Sequence, residues 1–301
     1  MSSIVELAIG KWYPPAATHP SMFGRSVIVT GANTGIGLEA ALKFVRLGAK
    51  TVVLAVRTLS KGEKARESIL ARAGRFNARV EVWPCDMLDY TSLRALADRA
   101  QRELDGKLDY VVLNAGALSA ELTWSMYGWE TMLQVHVLST TLLALLLLPL
   151  LEAARTEEFT PVLEFVSSTG HWLVPRPVGL LPGTREAKRP LEVYNQRRTG
   201  TLPFSQYSYS KLFLMYAQAG LLKDVPALAR DPPDVYCVAV CPGAVWSDIH
   251  KDYFPALAQF KDFLGSIFAR NTEEGARTYI SALTLGREGH GQFWTSDVIR
   301  P

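Results

Sequence analysis

Cysteine is scarce: Cys85, Cys237 and Cys241 are the only ones in 301 residues, which excludes a disulfide framework and favours a reducing compartment, read here as the cytoplasm. Cys237 and Cys241 sit in an apolar, strand-like run at a spacing that is no zinc pattern, so buried thiols and no metal site are expected. An excess of charge of one sign is also missing. The 32 basic and 29 acidic residues leave a net charge of +3, too even to point to a nucleic-acid partner. The basic cluster of Arg185, Lys188, Arg189, Arg197 and Arg198 reads as a solvated loop rather than an anion site. The opening stretch, with Glu6 and Lys11, lacks the basic start and apolar core of a secretory signal. Uninterrupted apolar runs fall short of the roughly 20 residues a bilayer needs. The nearest, Val137 to Ala154, contains Pro149 and Glu152; no membrane span is expected, but a helix buried on most sides, in the core or at a subunit contact. There is no internal repeat and no low-complexity segment.

What is present is 48% hydrophobic residues, arranged as β-branched runs alternating with helical stretches. Strands are expected at 26–30 (SVIVT), 51–56 (TVVLAV), 78–86, 108–116, 161–168 and 235–243. Helices are expected from Gly35 to Leu47, Lys61 to Ala73, Ser92 to Leu104, along the apolar run, and after Tyr207 to about Leu222. Right-handed crossovers between such units build an α/β domain with a doubly wound, mostly parallel sheet and helices on both faces. Residues 23–301 are read as that single domain, after an amino-terminal extension, 1–22, to which no role is assigned. Loop 171–205, rich in proline and glycine, and segment 245–268 are expected over a substrate site at the carboxyl ends of the strands.

Directly after SVIVT comes Thr30-Gly31-Ala32-Asn33-Thr34-Gly35-Ile36-Gly37. Phosphates can approach main-chain amides only where no Cβ intervenes, and the amino end of the next helix adds a favourable field. The spacing, G-x-x-x-G-x-G, differs from G-x-G-x-x-G, so its place after a strand carries the argument. Where an NAD-selective site offers a carboxylate to the ribose, this chain ends its second strand with Ala55-Val56-Arg57. Arginine there can pair with a 2′-phosphate, which favours NADPH over NADH. Asp86 could accept from the adenine amino group, and Asn114-Ala115-Gly116 would end the fourth strand beside the cofactor.

Tyr207 and Lys211, in YSYSK, are spaced to share one helix face, whereas Tyr209 has Phe213 at the same offset. A phenol titrates near about 10, and an adjacent ammonium lowers it toward a range useful for acid/base work. Ser168 could hydrogen-bond a substrate oxygen and hold it against Tyr207.

In order, TGANTGIG, VRTLSKGEKA, CDMLD, LNAGA, FVSSTGH, YSYSKL, CPGAVWSDI and GQFWTSDVIRP resemble the short-chain dehydrogenase/reductase superfamily, especially its NADPH-using, retinol-dehydrogenase-like branch and fungal natural-product reductases. The resemblance runs from about Phe23 onward. It implies a Rossmann-type domain in which Tyr207 is the acid/base, Lys211 lowers its pKa and holds the nicotinamide ribose, and Ser168 orients substrate. It also implies that Pro242, Gly243 and Val245 to Ser247 lie along the nicotinamide, and that the chain forms a homodimer or homotetramer. Segment 248–268 resembles the variable substrate loop, and its Tyr253, Phe254, Phe260 and Phe263 suit an apolar ligand, although packing on the core would also explain them.

One departure stands out. The family places an Asn in the helix after the fourth strand, where it positions a water connected to the lysine; here that position is His136. Imidazole can donate and accept, so either it substitutes in the relay or the relay is impaired. The expected activity is NADPH-dependent interconversion of a ketone and a secondary alcohol on an apolar small molecule, in natural-product (polyketide or terpenoid) biosynthesis. Alternatives are an isomerase or cyclisation catalyst using Tyr207 or His136 as proton shuttle, and a nucleotide-sensing binding protein.

Overall fold

Valines dominate the strands because branched side chains fit a pleated surface covered on both sides. In the computed structural model, which describes residues 11–74, 77–119, 121–174, 190–195, 203–246 and 269–300, they form β1 (Ser26–Thr30), β2 (Thr51–Val56), β3 (Arg79–Pro84), β4 (Tyr110–Leu113), β5 (Val162–Val166) and β6 (Tyr236–Cys241). Two further strands, β7 (Phe293–Thr295) and β8 (Val298–Arg300), were not expected from the sequence. The sheet order is β3-β2-β1-β4-β5-β6-β7-β8, parallel throughout except for the β7–β8 hairpin.

Alternate strand residues feed two separate cores. Ile28, Val53, Val111 and Leu163 face the helices Tyr90–Glu103, Thr140–Ala154 and Pro203–Asp224, packing with Leu93, Leu147 and Leu214. Val29, Leu54, Val112 and Val238 face Gly35–Arg46, Leu59–Ala73 and Thr272–Ala282, packing with Phe44, Ile69 and Tyr279. Glu164 lies opposite Val112 and Val238 in the ladder, fully buried, with neither carboxylate oxygen hydrogen-bonded among the described residues. Burial holds its carboxyl well above the usual carboxylate range.

Helix starts follow local chemistry. Asp89 accepts from the Thr91 amide at 2.8 Å, and Asn271 forms a reciprocal capping box with Glu274. The helix carrying Tyr207 starts at Pro203, ahead of that tyrosine, because proline's fixed φ suits a first turn. The apolar run belongs to one continuous helix, Thr131–Ala154, whose 24 residues are long and apolar enough to cross a membrane by composition alone. It is a longer apolar helix than the sequence reading gave it. In its most apolar window 56% of residues are buried in the domain, as the core-helix reading expected.

Residues 11–22 are tied to the domain. Ala16 donates to Asp297 Oδ2 at 2.6 Å, the Arg270 guanidinium donates to Tyr13 O at 3.0 Å, and Met22 is buried. The basic cluster at 185–198, Ser247, and the aromatic residues of 248–268 lie outside the described residues, as does most of loop 171–205.

Candidate active site

A cavity of about 750 Å³ opens at the carboxyl ends of β1, β4, β5 and β6, where helix starts and loops diverge. Its walls include Gly31, Asn33, Thr34, Gly35, Ile36 and Gly37 from the glycine turn, with Arg57 and Asp86 from the loops after β2 and β3. Asn114, Ala115, Gly116 and His136 form another side; Ser168, Tyr207 and Lys211 a third; Pro242, Gly243 and Val245 a fourth. Apart from Trp246, which does not line the cavity, the site residues singled out from sequence and described by the structure therefore border one space.

Tight packing fixes the glycine turn. A Cβ on Gly37 would lie 2.5 Å from Asn114 Nδ2 and 2.8 Å from Gly31 O. Asn114 itself stitches elements together: Nδ2 donates to Thr30 O at 2.8 Å, and Oδ1 accepts from the Tyr279 hydroxyl at 3.0 Å. Gly37→Ala is expected to cost about 1 to 3 kcal/mol of stability and to disturb the turn, read by thermal melts with and without dinucleotide. An unchanged melting temperature would show that the turn yields freely.

Arg57 is exposed at the cavity edge, and Asp86 accepts from the Leu88 amide at 2.9 Å. Ser168 Oγ caps the short turn Thr169–Leu173 by accepting from the Gly170 amide at 3.0 Å. Ser167 Oγ is buried with no partner among the described residues.

Tyr207 and Lys211 do share a face, but the electrostatics differ from expectation. Burial pushes the Tyr207 phenol up to about 12, and the factor pulling it down is its hydrogen bond with Ser168, not the lysine. Lys211 donates to Val166 O at 2.8 Å, and its Nζ lies 5.8 Å from the centre of the tyrosine ring. Burial lowers its own pKa to about 8.

His136 occupies a π-helical stretch, Gln134–Ser139, of the kind often found at functional positions. Its Nε2 accepts from the Ala117 amide at 2.9 Å, and its Nδ1 meets Ser210 Oγ at 2.7 Å. Since an amide can only donate, Nε2 is unprotonated and Nδ1 carries the hydrogen. Burial, then the charge of Lys211, holds the imidazole well below its usual pKa, so it is neutral.

Sequence reasoning missed Ser210, Arg270 and Tyr279. Ser210 was visible inside YSYSK as the residue before the lysine; Tyr279 carried no motif. Arg270 is almost fully buried, and donates to Pro242 O at 3.1 Å, Tyr13 O at 3.0 Å and Ser296 Oγ at 3.0 Å. Its backbone also pairs with Ala244 and Trp246. Gly243 has φ of +84°, and a Cβ there would meet Arg270 Nη1 at 2.8 Å, so glycine lets the guanidinium brace the loop.

A family model described as "short chain dehydrogenase" matches residues 25–171. The solved Pseudomonas aeruginosa RhlG/NADP active-site complex superposes with a TM-score of 0.66 at 22% identity, over 92% of this chain and 97% of that one, which is a likeness of fold. Sequence likeness reaches further. The Phaeosphaeria nodorum short-chain dehydrogenase/reductase phmF is 34% identical over 93% of this chain and 79% of its own length. The Aspergillus flavipes short-chain dehydrogenase/reductase ffsI is 35% identical over 95% of this chain and 81% of its own, so the likeness extends past residue 171 to the Tyr207 helix, and the chain belongs to the short-chain dehydrogenase/reductase family.

Proposed function

We propose that the protein is an NADPH-dependent reductase interconverting a ketone and a secondary alcohol on an apolar small molecule. One observation carries this reading: the Tyr207 phenol, Ser168 hydroxyl and Lys211 amine line the same cavity as the glycine turn. The residues present fit a phosphorylated nicotinamide dinucleotide. Gly31, Gly35 and Gly37 leave the helix start bare for phosphate, and packing leaves no room for a Cβ on Gly37. Arg57 stands where a ribose-binding carboxylate would otherwise exclude a 2′-phosphate. The fold-matched Pseudomonas structure is a complex with NADP.

When bound, the reduced dinucleotide supplies hydride to the carbonyl carbon. Tyr207 gives its proton to the carbonyl oxygen as charge develops there, and Ser168 donates a hydrogen bond to that oxygen. A phenol held near about 12 is fully protonated at neutral pH, ready to donate. Lys211 would hold the nicotinamide ribose, Pro242, Gly243 and Val245 would lie along the ring, and Asp86 would face the adenine. Leu118 and Leu173 also line the cavity and support an apolar substrate. The non-redox reading is weaker, because both nitrogens of His136 are engaged.

The test combines NADPH, purified protein and a panel of polyketide-like and terpenoid ketones. Ketone-dependent loss of nicotinamide absorbance with a two-hydrogen mass gain supports the reading; bound but unoxidised NADPH with an isobaric product overturns it. Arg57→Glu is expected to weaken NADPH binding about tenfold or more while sparing NADH, since a charge-assisted contact becomes repulsion. Equal losses for both dinucleotides would remove Arg57 from phosphate recognition.

All three cysteines are free and buried, which supports a reducing, cytoplasmic setting. Exposed Leu145 and Tyr216, on the helices Thr131–Ala154 and Pro203–Asp224, support a homodimer or homotetramer built on those helices.

A further inference from the structure

We propose that His136 is a positioning residue: a fixed strut whose two ring nitrogens tie the Asn114–Ala117 wall of the cavity to the helical turn carrying Tyr207. The connection is continuous. The Ala117 amide donates to Nε2 at 2.9 Å, Nδ1 donates to Ser210 Oγ at 2.7 Å, and Ser210 Oγ donates to the Tyr207 carbonyl at 2.7 Å. The imidazole also meets the tyrosine ring edge to face, 5.5 Å between centroids at 89°. Gly116 lies against the strut, and a Cβ there would sit 3.4 Å from Nε2.

This geometry argues against the ring as a proton carrier. A carrier must gain a proton on one nitrogen while losing it from the other, but the Ala117 amide cannot yield its hydrogen to Nε2, and that contact blocks the nitrogen. What the ring transmits is position. Movement of the wall that would lie beside the dinucleotide is passed through three hydrogen bonds in series to the backbone of Tyr207. The inference rests on the reading of Tyr207 as proton donor, but part of its test does not.

Two variants separate the ends of the strut. Gln places its terminal amide at the depth of Nε2, so His136→Gln keeps the Ala117 contact and loses Ser210. Asn reaches only as far as Nδ1, so His136→Asn keeps Ser210 and loses Ala117. For H136Q, NADPH affinity should stay within about twofold while kcat falls about tenfold; H136N should show the reverse, about tenfold weaker binding with kcat better preserved. Ser210→Ala should match H136Q, and the double variant should be no worse than either alone. A strut of general structural use only would move both parameters together in all variants, and that result would overturn the proposal.

The independent readout is nitrogen-15 NMR of the wild-type protein with labelled histidine. Among the five histidines, His136 should be neutral with hydrogen on Nδ1. Its resonance is assigned by disappearance in H136Q or, should that variant not fold, by proximity to the Ala117 amide. Hydrogen on Nε2, or an imidazolium, sinks the strut whatever the kinetics. Should Tyr207→Phe retain turnover while this tautomer holds, the catalytic reading fails and the strut stands as architecture.

Discussion

Tyr207→Phe is expected to lower kcat for ketone reduction by about 10³-fold, within the roughly 10² to 10⁴ attributed to a positioned general acid, and to leave NADPH affinity within about twofold. Only the hydroxyl is removed. The ring keeps its edge-to-face contact with His136, and the helix Pro203–Asp224 retains its backbone, so the wall carrying Lys211 stays in place. Burial holds the wild-type phenol protonated far above neutral pH, so the variant loses a donor that is always loaded. Ser168 would remain as a hydrogen-bond donor to the substrate oxygen, which is why residual turnover is expected. Steady-state kinetics on an accepted ketone, paired with a binding titration, check this. Intact reduction with unchanged binding would remove Tyr207 from the chemistry.

The second large effect concerns stability. Glu164 is buried against Val112 and Val238 without a hydrogen-bond partner for either oxygen among the described residues, and its folded pKa lies well above the usual value. In an unfolded chain a glutamate titrates near about 4.3. Below that, both states hold the proton and the favourable protonated burial is fully present. As pH rises above it, the unfolded state ionises first, unfolding releases a proton, and stability falls by about 1.4 kcal/mol per pH unit until the folded pKa is passed. Glu164→Gln keeps the shape but has no proton to lose. Denaturant melts at about pH 5 and about pH 8 should therefore show the variant gaining on wild type toward the alkaline end. Parallel stability profiles would mean that the carboxyl does not govern the slope.

Local signals account for what the sequence disclosed. SVIVT and TVVLAV mark themselves by β-branched runs, the glycine turn by where it follows β1, and Tyr207 and Lys211 by a spacing that puts both on one helix face. Strand ends were placed too far out, at 108–116 against Tyr110–Leu113, because an apolar loop entering a cavity reads like more strand. The hairpin of Phe293–Thr295 and Val298–Arg300 escaped because three-residue strands show no period, and because its turn uses Ser296 and Asp297 at positive φ rather than glycine. Position 136 was recognised as a departure, but the π-helical turn and the partners of the ring depend on contacts far apart in sequence. The same holds for the tyrosine pKa: four-residue spacing predicted help from Lys211, whereas burial, a property of the whole fold, raises it and only the hydrogen bond with Ser168 pulls it down. Glu164 sat unremarked in PVLEFVSS, since a strand's outward residue and one facing a second core look alike in sequence.

Arg270 has a consequence for the timing of synthesis. The carbonyl of Tyr13 that it holds lies 257 positions away in the chain, and its other partners belong to the loop after β6 and to the final hairpin turn. During translation Tyr13 and Ala16 therefore emerge long before Arg270 and Asp297 exist to receive them, whereas Met22 meets Leu47 early, and a contact of such separation closes late because the intervening chain must first be ordered. Trp12 and Tyr13, which stay 70% and 72% exposed even in the finished fold, travel uncovered for that whole interval. The brace of Arg270 on Pro242, 28 positions apart, can form before Tyr13 docks on the same guanidinium, so the cavity wall does not wait for the long-range contact.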